Sequence, residues 1–248
     1  MLLSAPAQAA DSPWSGTWNL DTAKSQMTGS TFTISKGTNT ALHYSDGAVV
    51  SYDYACDGKI YTTIPGFSMQ CKNASPTVRD VTFMANGKET GTAHEHLSGD
   101  GNTWTTTFVA LRPDGTKETT TSVNKRVSGT SGWFGTWKAA KVQDNAPSTM
   151  HLAVTGKSVA FAVPEYKQTA KIAIDGPPAK LLSPQFPAGV MIAWKSLGPN
   201  KIESTVTYKG KTYGKDIYTL SVDGKTITDV GWTPGKENEK QTYVYEKM

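Results

Sequence analysis

The chain has 248 residues, enough for one or two domains with buried cores. Aromatic residues at 10% exclude disorder throughout, and the net charge of +4, carried by dispersed lysines, leaves no footprint for nucleic acid. Thr occurs 34 times and Leu only 11, which disfavours a helical bundle, and no run of about 18 apolar residues offers a transmembrane helix.

The chain opens with Ala7-Gln8-Ala9, followed by Ala10 and Asp11, the small-x-small pattern of a signal-peptidase site. The stretch before it is short and lacks a basic start. Residues 1–10 are therefore read either as the remnant of a signal peptide, on a secreted or periplasmic protein, or as a disordered tail. Beyond them, β-branched and aromatic runs between turn residues predict strands over 16–20, 31–35, 41–44, 48–54, 59–63, 78–85, 90–98, 102–110 and 117–125. A second set is predicted over 135–141, 149–155, 158–163, 169–174, 190–195, 201–209, 212–220, 225–232 and 240–247. Asp57-Gly58, Asn86-Gly87, Lys209-Gly210 and Asp223-Gly224 supply hairpin turns between them. Successive hairpins give an antiparallel meander, which protects its edges best by closing into a barrel. Within 102–110, Trp104, Thr106 and Phe108 share one face, and Thr103, Thr105, Thr107 and Val109 the other. Threonine on both faces leaves open which side is the core.

The two sets are copies of one unit. Trp14-Ser15-Gly16-Thr17-Trp18 returns 119 residues later as Trp133-Phe134-Gly135-Thr136-Trp137. Leu97-Ser98-Gly99-Asp100-Gly101 returns 123 residues later as Leu220-Ser221-Val222-Asp223-Gly224. A domain-sized period argues for tandem duplication. The expected division is a first domain over 11–128 and a second over 129–248, joined at Val127-Ser128-Gly129-Thr130-Ser131-Gly132. The first carries 10 Lys and Arg against 11 Asp and Glu, the second 15 against 10, so the basic excess lies in the second.

Gly16-Thr17-Trp18 and Gly135-Thr136-Trp137, each opening a meander, resemble the Gly-x-Trp start of the calycins, the lipocalins and fatty-acid-binding proteins. The first copy is closer to bacterial exported lipocalin-like domains, through Gly-Thr-Trp, Ala23-Lys24-Ser25 and the Asp57-Gly58-Lys59 turn. The resemblance implies an all-β protein of two tandem antiparallel up-and-down barrels, with Trp18 and Trp137 as structural plugs. Residues 19–30 and 139–148 are too short and polar for the helical lid of the fatty-acid-binding proteins, so fatty-acid transport does not carry over.

Function is read less directly. The leading expectation is non-enzymatic binding of a small apolar or amphipathic molecule, with no cofactor and no membrane span. The basic, aromatic-rich second copy is the expected host, through Trp194, Tyr208, Tyr218 and Trp232. The alternative is a structural or interaction protein of the envelope with barrels filled by their own side chains. A third reading is a metal site: on a strand, His94 and His96 point the same way. Cys56 and Cys71 are either one disulfide, which fits an exported protein, or two buried thiols. Gly156-Lys157-Ser158, Gly210-Lys211-Thr212 and Gly224-Lys225-Thr226 lack the upstream glycine of a phosphate-binding loop and read as turns. No Gly-x-Ser-x-Gly elbow is present.

Overall fold

The computed structural model describes residues 12–39, 41–129, 131–144 and 148–248; Ala7-Gln8-Ala9 and Thr130 lie outside them. The chain forms β1 (Gly16–Gln26), β2 (Thr31–Lys36), β3 (Leu42–Ser45), β4 (Ser51–Tyr54), β5 (Asp57–Ile64), β6 (Phe67–Ser75), β7 (Val78–Ala85), β8 (Lys88–Leu97), β9 (Thr103–Leu111) and β10 (Lys117–Ser128). It continues with β11 (Gly135–Asp144), β12 (Thr149–Thr155), β13 (Ser158–Val163), β14 (Gln168–Ala173), β15 (Ala179–Lys180), β16 (Val190–Gly198), β17 (Lys201–Tyr208), β18 (Lys211–Leu220), β19 (Thr226–Trp232) and β20 (Gln241–Lys247). One 3-10 turn, Pro164–Tyr166, is the only helical element among the described residues.

The strands make two ten-stranded antiparallel sheets, each nearly closed into a barrel. In the first, β2 to β11 follow one another, with the order β4-β3-β2-β11-β10-β9-β8-β7-β6-β5. The second runs β14-β13-β12-β1-β20-β19-β18-β17-β16-β15. This differs from the expected division at 128/129: the two opening strands are exchanged. β1 pairs with β12 and β20, and β11 with β2 and β10. The first barrel is thus one contiguous segment inserted between the first and second strands of the second barrel.

The exchange has a local cause. β1 buries Trp18 and Leu20, and β11 buries Trp137 and Ala139, at matching positions. Either strand therefore presents a similar inward face to either barrel. The link 27–30 runs straight on instead of doubling back: Gly29 N–H donates to the Ala139 carbonyl, and Ala139 N–H to the Ser30 carbonyl, both at 2.9 Å.

The paired tryptophans form the same plug twice. The Trp18 indole N–H donates to the Trp14 carbonyl and that of Trp137 to the Trp133 carbonyl, each at 3.1 Å. Both rings are fully buried, in the cores of the second and first barrels respectively. A cation from the last strand covers each face: Lys247 Nζ lies 5.0 Å from the Trp18 ring and the Arg126 guanidinium carbon 4.2 Å from that of Trp137.

Closure also takes two forms. In the second barrel, Thr169 and Leu182 exchange two backbone hydrogen bonds of 2.9 Å beside β15. In the first, β4 and β5 meet at a corner where Cys56 and Cys71 form a disulfide, 15 residues apart. The predicted strands are all present. β6 and the two-residue β15 were not predicted, because β6 (FSMQCKNAS) holds no Val, Ile or Thr.

Candidate functional site

Alternation along β8 decides what the first barrel contains. Ala93 and Leu97 are buried, His94 and His96 exposed, and Glu95 shares the inward face with Ala93 and Leu97. Glu95 therefore enters the lumen, where it lines a cavity of about 280 Å³. The apolar wall includes Phe32, Tyr44, Tyr52, Tyr54, Phe83 and Trp104, and the polar groups are Glu95, Thr106, Ser122 and Asn124. The Trp104, Thr106 and Phe108 face of β9 is thus the inner one. Phe32 packs edge-on against Trp104 at 5.1 Å between centroids, and Tyr44 stacks on Tyr52 at 5.0 Å.

Below this wall lies Arg79, 4% exposed, its guanidinium carbon 3.9 Å from the Trp133 centroid. Its Nε and one terminal nitrogen make no hydrogen bond among the described residues. Burial pushes the Glu95 carboxyl up to about 7, against the opposing pull of Arg79 and His94. Burial likewise raises Tyr44 to about 12 and pushes Tyr52 and Tyr54 well above the phenol range. The lumen thus offers neutral phenols and one carboxyl that gains or loses its proton near neutrality.

Phe32 and Tyr44 also line a second cavity of about 400 Å³ in the cleft between the barrels. Its other wall, from the second barrel, carries Tyr213, Asp216, Trp232, Lys236, Glu239 and Tyr243. The cleft therefore adjoins the first lumen at Phe32 and Tyr44. Polar contacts hold its rim: Glu239 accepts from Thr31 N–H at 2.8 Å and from the Thr31 hydroxyl at 2.7 Å, and Lys236 donates to the Thr31 carbonyl at 2.6 Å. Elsewhere between the barrels, the buried Glu118 carboxylate accepts from Arg112 at 2.9 Å and from the Tyr166 hydroxyl.

The expected ligand residues do not form one pocket. Trp194 and Tyr208 are buried in the packed interior of the second barrel. Tyr218 packs there too, 5.6 Å from Trp194 between centroids. Trp232 faces the cleft instead, beneath Lys240 Nζ at 4.7 Å. The core of the second barrel gathers Trp14, Trp18, Met150, Leu152, Trp194 and Ile202, while its end toward the cleft is open and lined by the inward-facing Asp216, Gly231 and Tyr243. Its deeper end holds Asp229, 5% exposed, whose carboxyl is raised by burial and by the Asp216 charge. A wider depression of about 900 Å³ lies on the outside of this barrel, around Ala153, Ala160, Ala162 and Leu182, with Thr17, His151, Thr169, Lys171 and Lys180 also lining it.

His94 and His96 do share an exposed face, but His94 Nδ1 pairs with Asp80 at 2.8 Å. No group of three or more His, Cys, Asp or Glu side chains placed to hold a metal occurs among the described residues, and His43 pairs with Asp53 on another hairpin. Sequence reasoning looked at the two histidines and passed over the glutamate between them, although the same period-two rule turns Glu95 inward. The same rule turns Arg79 inward, in step with Val81, Phe83 and Ala85 on β7 and opposite Glu95.

No family model, curated protein or solved structure matches the chain. The chain is an all-β protein of two nearly closed antiparallel barrels.

Proposed function

We propose that the first barrel binds a small, partly apolar molecule in its lumen, without chemistry on it. The observation that supports this reading is an aromatic cavity with a single buried carboxyl at Glu95. A cavity of roughly 150 Å³ takes one benzene ring. The lumen, at about 280 Å³, suits a molecule of roughly ten to twelve non-hydrogen atoms on that scale. Its apolar body would lie against Phe32, Tyr44, Tyr52 and Phe83, and its polar end would meet Glu95, Thr106 and Asn124. The cleft between the barrels is the route in. A calycin-like origin fits the doubled Gly-x-Trp plug, and the Cys56–Cys71 disulfide fits a secreted or periplasmic site of action.

The large apolar core of the second barrel favours a different role for that half, as a structural or interaction module that shapes the cleft. Native mass spectrometry of protein purified from its own host tests the binding reading. A retained small molecule, released by denaturing extraction, is the expected result. Thr106→Phe, which fills the lumen, should abolish retention while the chain stays folded. A clean apo mass for the parent protein, or retention unchanged in Thr106→Phe, would transfer the reading to filled or structural barrels.

A further inference from the structure

On the outer wall of the first barrel, β3 and β4 bring three side chains into one hydrogen-bonded line. His43 Nδ1 lies 2.6 Å from Asp53 Oδ1, and Ser51 Oγ lies 3.0 Å from His43 Nε2. The Asp53 carboxylate only accepts, so Nδ1 carries the proton and donates. In the neutral ring Nε2 is then the acceptor, and the Ser51 hydroxyl donates to it. Asp53 is itself oriented, since its Oδ2 accepts from the Thr38 hydroxyl at 2.9 Å. The hairpin is rigid: His43 pairs with Asp53 and Ser45 with Ser51 across the ladder. Its turn is held by the Asp46 carboxylate, which accepts from Ala48 and Val50 N–H at 2.8 and 2.9 Å. The Ser51 side is exposed, and His43 and Asp53 are about one-third exposed, so solvent reaches the nucleophile.

Hydroxyl, base and orienting carboxylate at these distances are the geometric signature of an activated serine. Nothing in the lumen depends on it. The arrangement belongs to one barrel only, because the register places Thr169, Ala160 and Lys171 in the second barrel where Ser51, His43 and Asp53 stand in the first. His94 and Asp80 form a second His–carboxylate pair, but no hydroxyl bonds to the other ring nitrogen of His94 among the described residues.

We propose that Ser51 is a nucleophile activated by His43 and positioned through Asp53, and that it takes the acyl group of small activated esters from solvent. Ser51 Oγ attacks the ester carbonyl carbon as its proton passes to His43 Nε2. The carbon–oxygen bond to the leaving group breaks, the phenolate departs, and His43 returns the proton to solvent. Water, deprotonated by His43, then attacks the acyl-serine; the bond to Ser51 Oγ breaks as His43 hands that proton back to Oγ, and the released acid ionises to a carboxylate. The site is shallow, so it selects for a reactive leaving group more than for acyl shape.

The test uses the full, disulfide-intact chain with p-nitrophenyl acetate, following phenolate release and locating the acetyl group by peptide mass spectrometry. Ser51 should carry the acetyl group, and Ser51→Ala should lose that label with a drop in release of roughly 10²-fold. Ser51→Cys should keep a labelled residue at position 51. His43→Ala should slow labelling by a similar factor, with added free imidazole restoring it. Asp53→Asn should slow labelling as His43→Ala does but without rescue by imidazole, because an amide N–H donating to Nδ1 moves the ring proton to Nε2 while the ring still fills the site. All these side chains lie on the outer wall, so an unchanged melting temperature shows that each variant folds. If His43→Ala does not fold, Ser51→Ala decides alone. Acetyl groups found on lysines and never on residue 51, or equal release by Ser51→Ala and the parent, would overturn the proposal.

Discussion

Glu95 occupies the place that Tyr218 takes in the second barrel, on the matching inward position of the matching strand. That one difference gives the first lumen a group that titrates near neutrality. The carboxyl sits near 7 in the folded protein and near 4.5 when free of it. Folding therefore favours the protonated form, so this contribution to stability is complete below about pH 4.5 and is lost as pH rises through 7. Asp216 and Asp229, both raised, act in the same direction. The expected outcome is a melting temperature that falls between about pH 5 and pH 8. Glu95→Gln should recover on the order of 2 kcal/mol at the alkaline end, after allowance for the cavity-facing part of the side chain. Equal losses in Glu95→Gln and the parent across that range would place the pH dependence elsewhere. The exposed carboxylates, such as Asp57 and Asp100, are lowered and matter only in more acid solution.

At the scale of the element, the two opening strands look interchangeable and are not. A methyl group on Gly135 would meet the Ser128 carbonyl oxygen at 2.2 Å, and φ there is +141°. On Gly16, with φ of +148°, it would meet only the flexible Lys247 side chain, at 2.7 Å. Gly16→Ala is expected to cost about 1–2 kcal/mol from backbone strain, and Gly135→Ala several kcal/mol more because backbone cannot yield. Urea unfolding of the two variants checks this, and equal costs would contradict it. The disulfide is the other element-level staple, since it ties the β4–β5 corner to β6. Replacing both cysteines by serine should cost roughly 3 kcal/mol for a 15-residue loop. Thermal unfolding with and without reductant would show it, and an unchanged midpoint would mean that the corner is held by packing alone. β6 itself was hidden from sequence reading. Its buried residues, Met69 and Cys71, alternate as a strand requires, yet neither is β-branched or aromatic.

At the scale of the molecule, the nesting of one barrel inside the other makes the two halves unequal. Residues 27–144 contain every strand of the first sheet together with Trp133 and Trp137. Residues 145–248 lack β1, which leaves β12 and β20 each with one open edge and removes Trp14 and Trp18 from the core. The segment 27–144 should fold alone with a cooperative transition. The segment 145–248 should remain loosely packed until a peptide of residues 12–26 is added. Near-ultraviolet circular dichroism distinguishes these outcomes. A folded 145–248 without peptide, or an unfolded 27–144, would show that the exchange does not define the folding units.

Sequence by itself determined the all-β class, the duplication, the paired tryptophan plugs and nearly every strand, because alternation, turn glycines and a repeated motif are local properties. It also held the clue to Glu95, through the same alternation that exposes His94 and His96. Only the tertiary structure decided which opening strand enters which barrel, since β1 and β11 carry nearly the same inward face and the choice lies in the path of a four-residue link. It alone decided where the cavities lie, because that depends on the summed volumes of side chains from ten strands. The meeting of Ser51, His43 and Asp53 was likewise beyond sequence, since ladder register and side-chain direction set those distances.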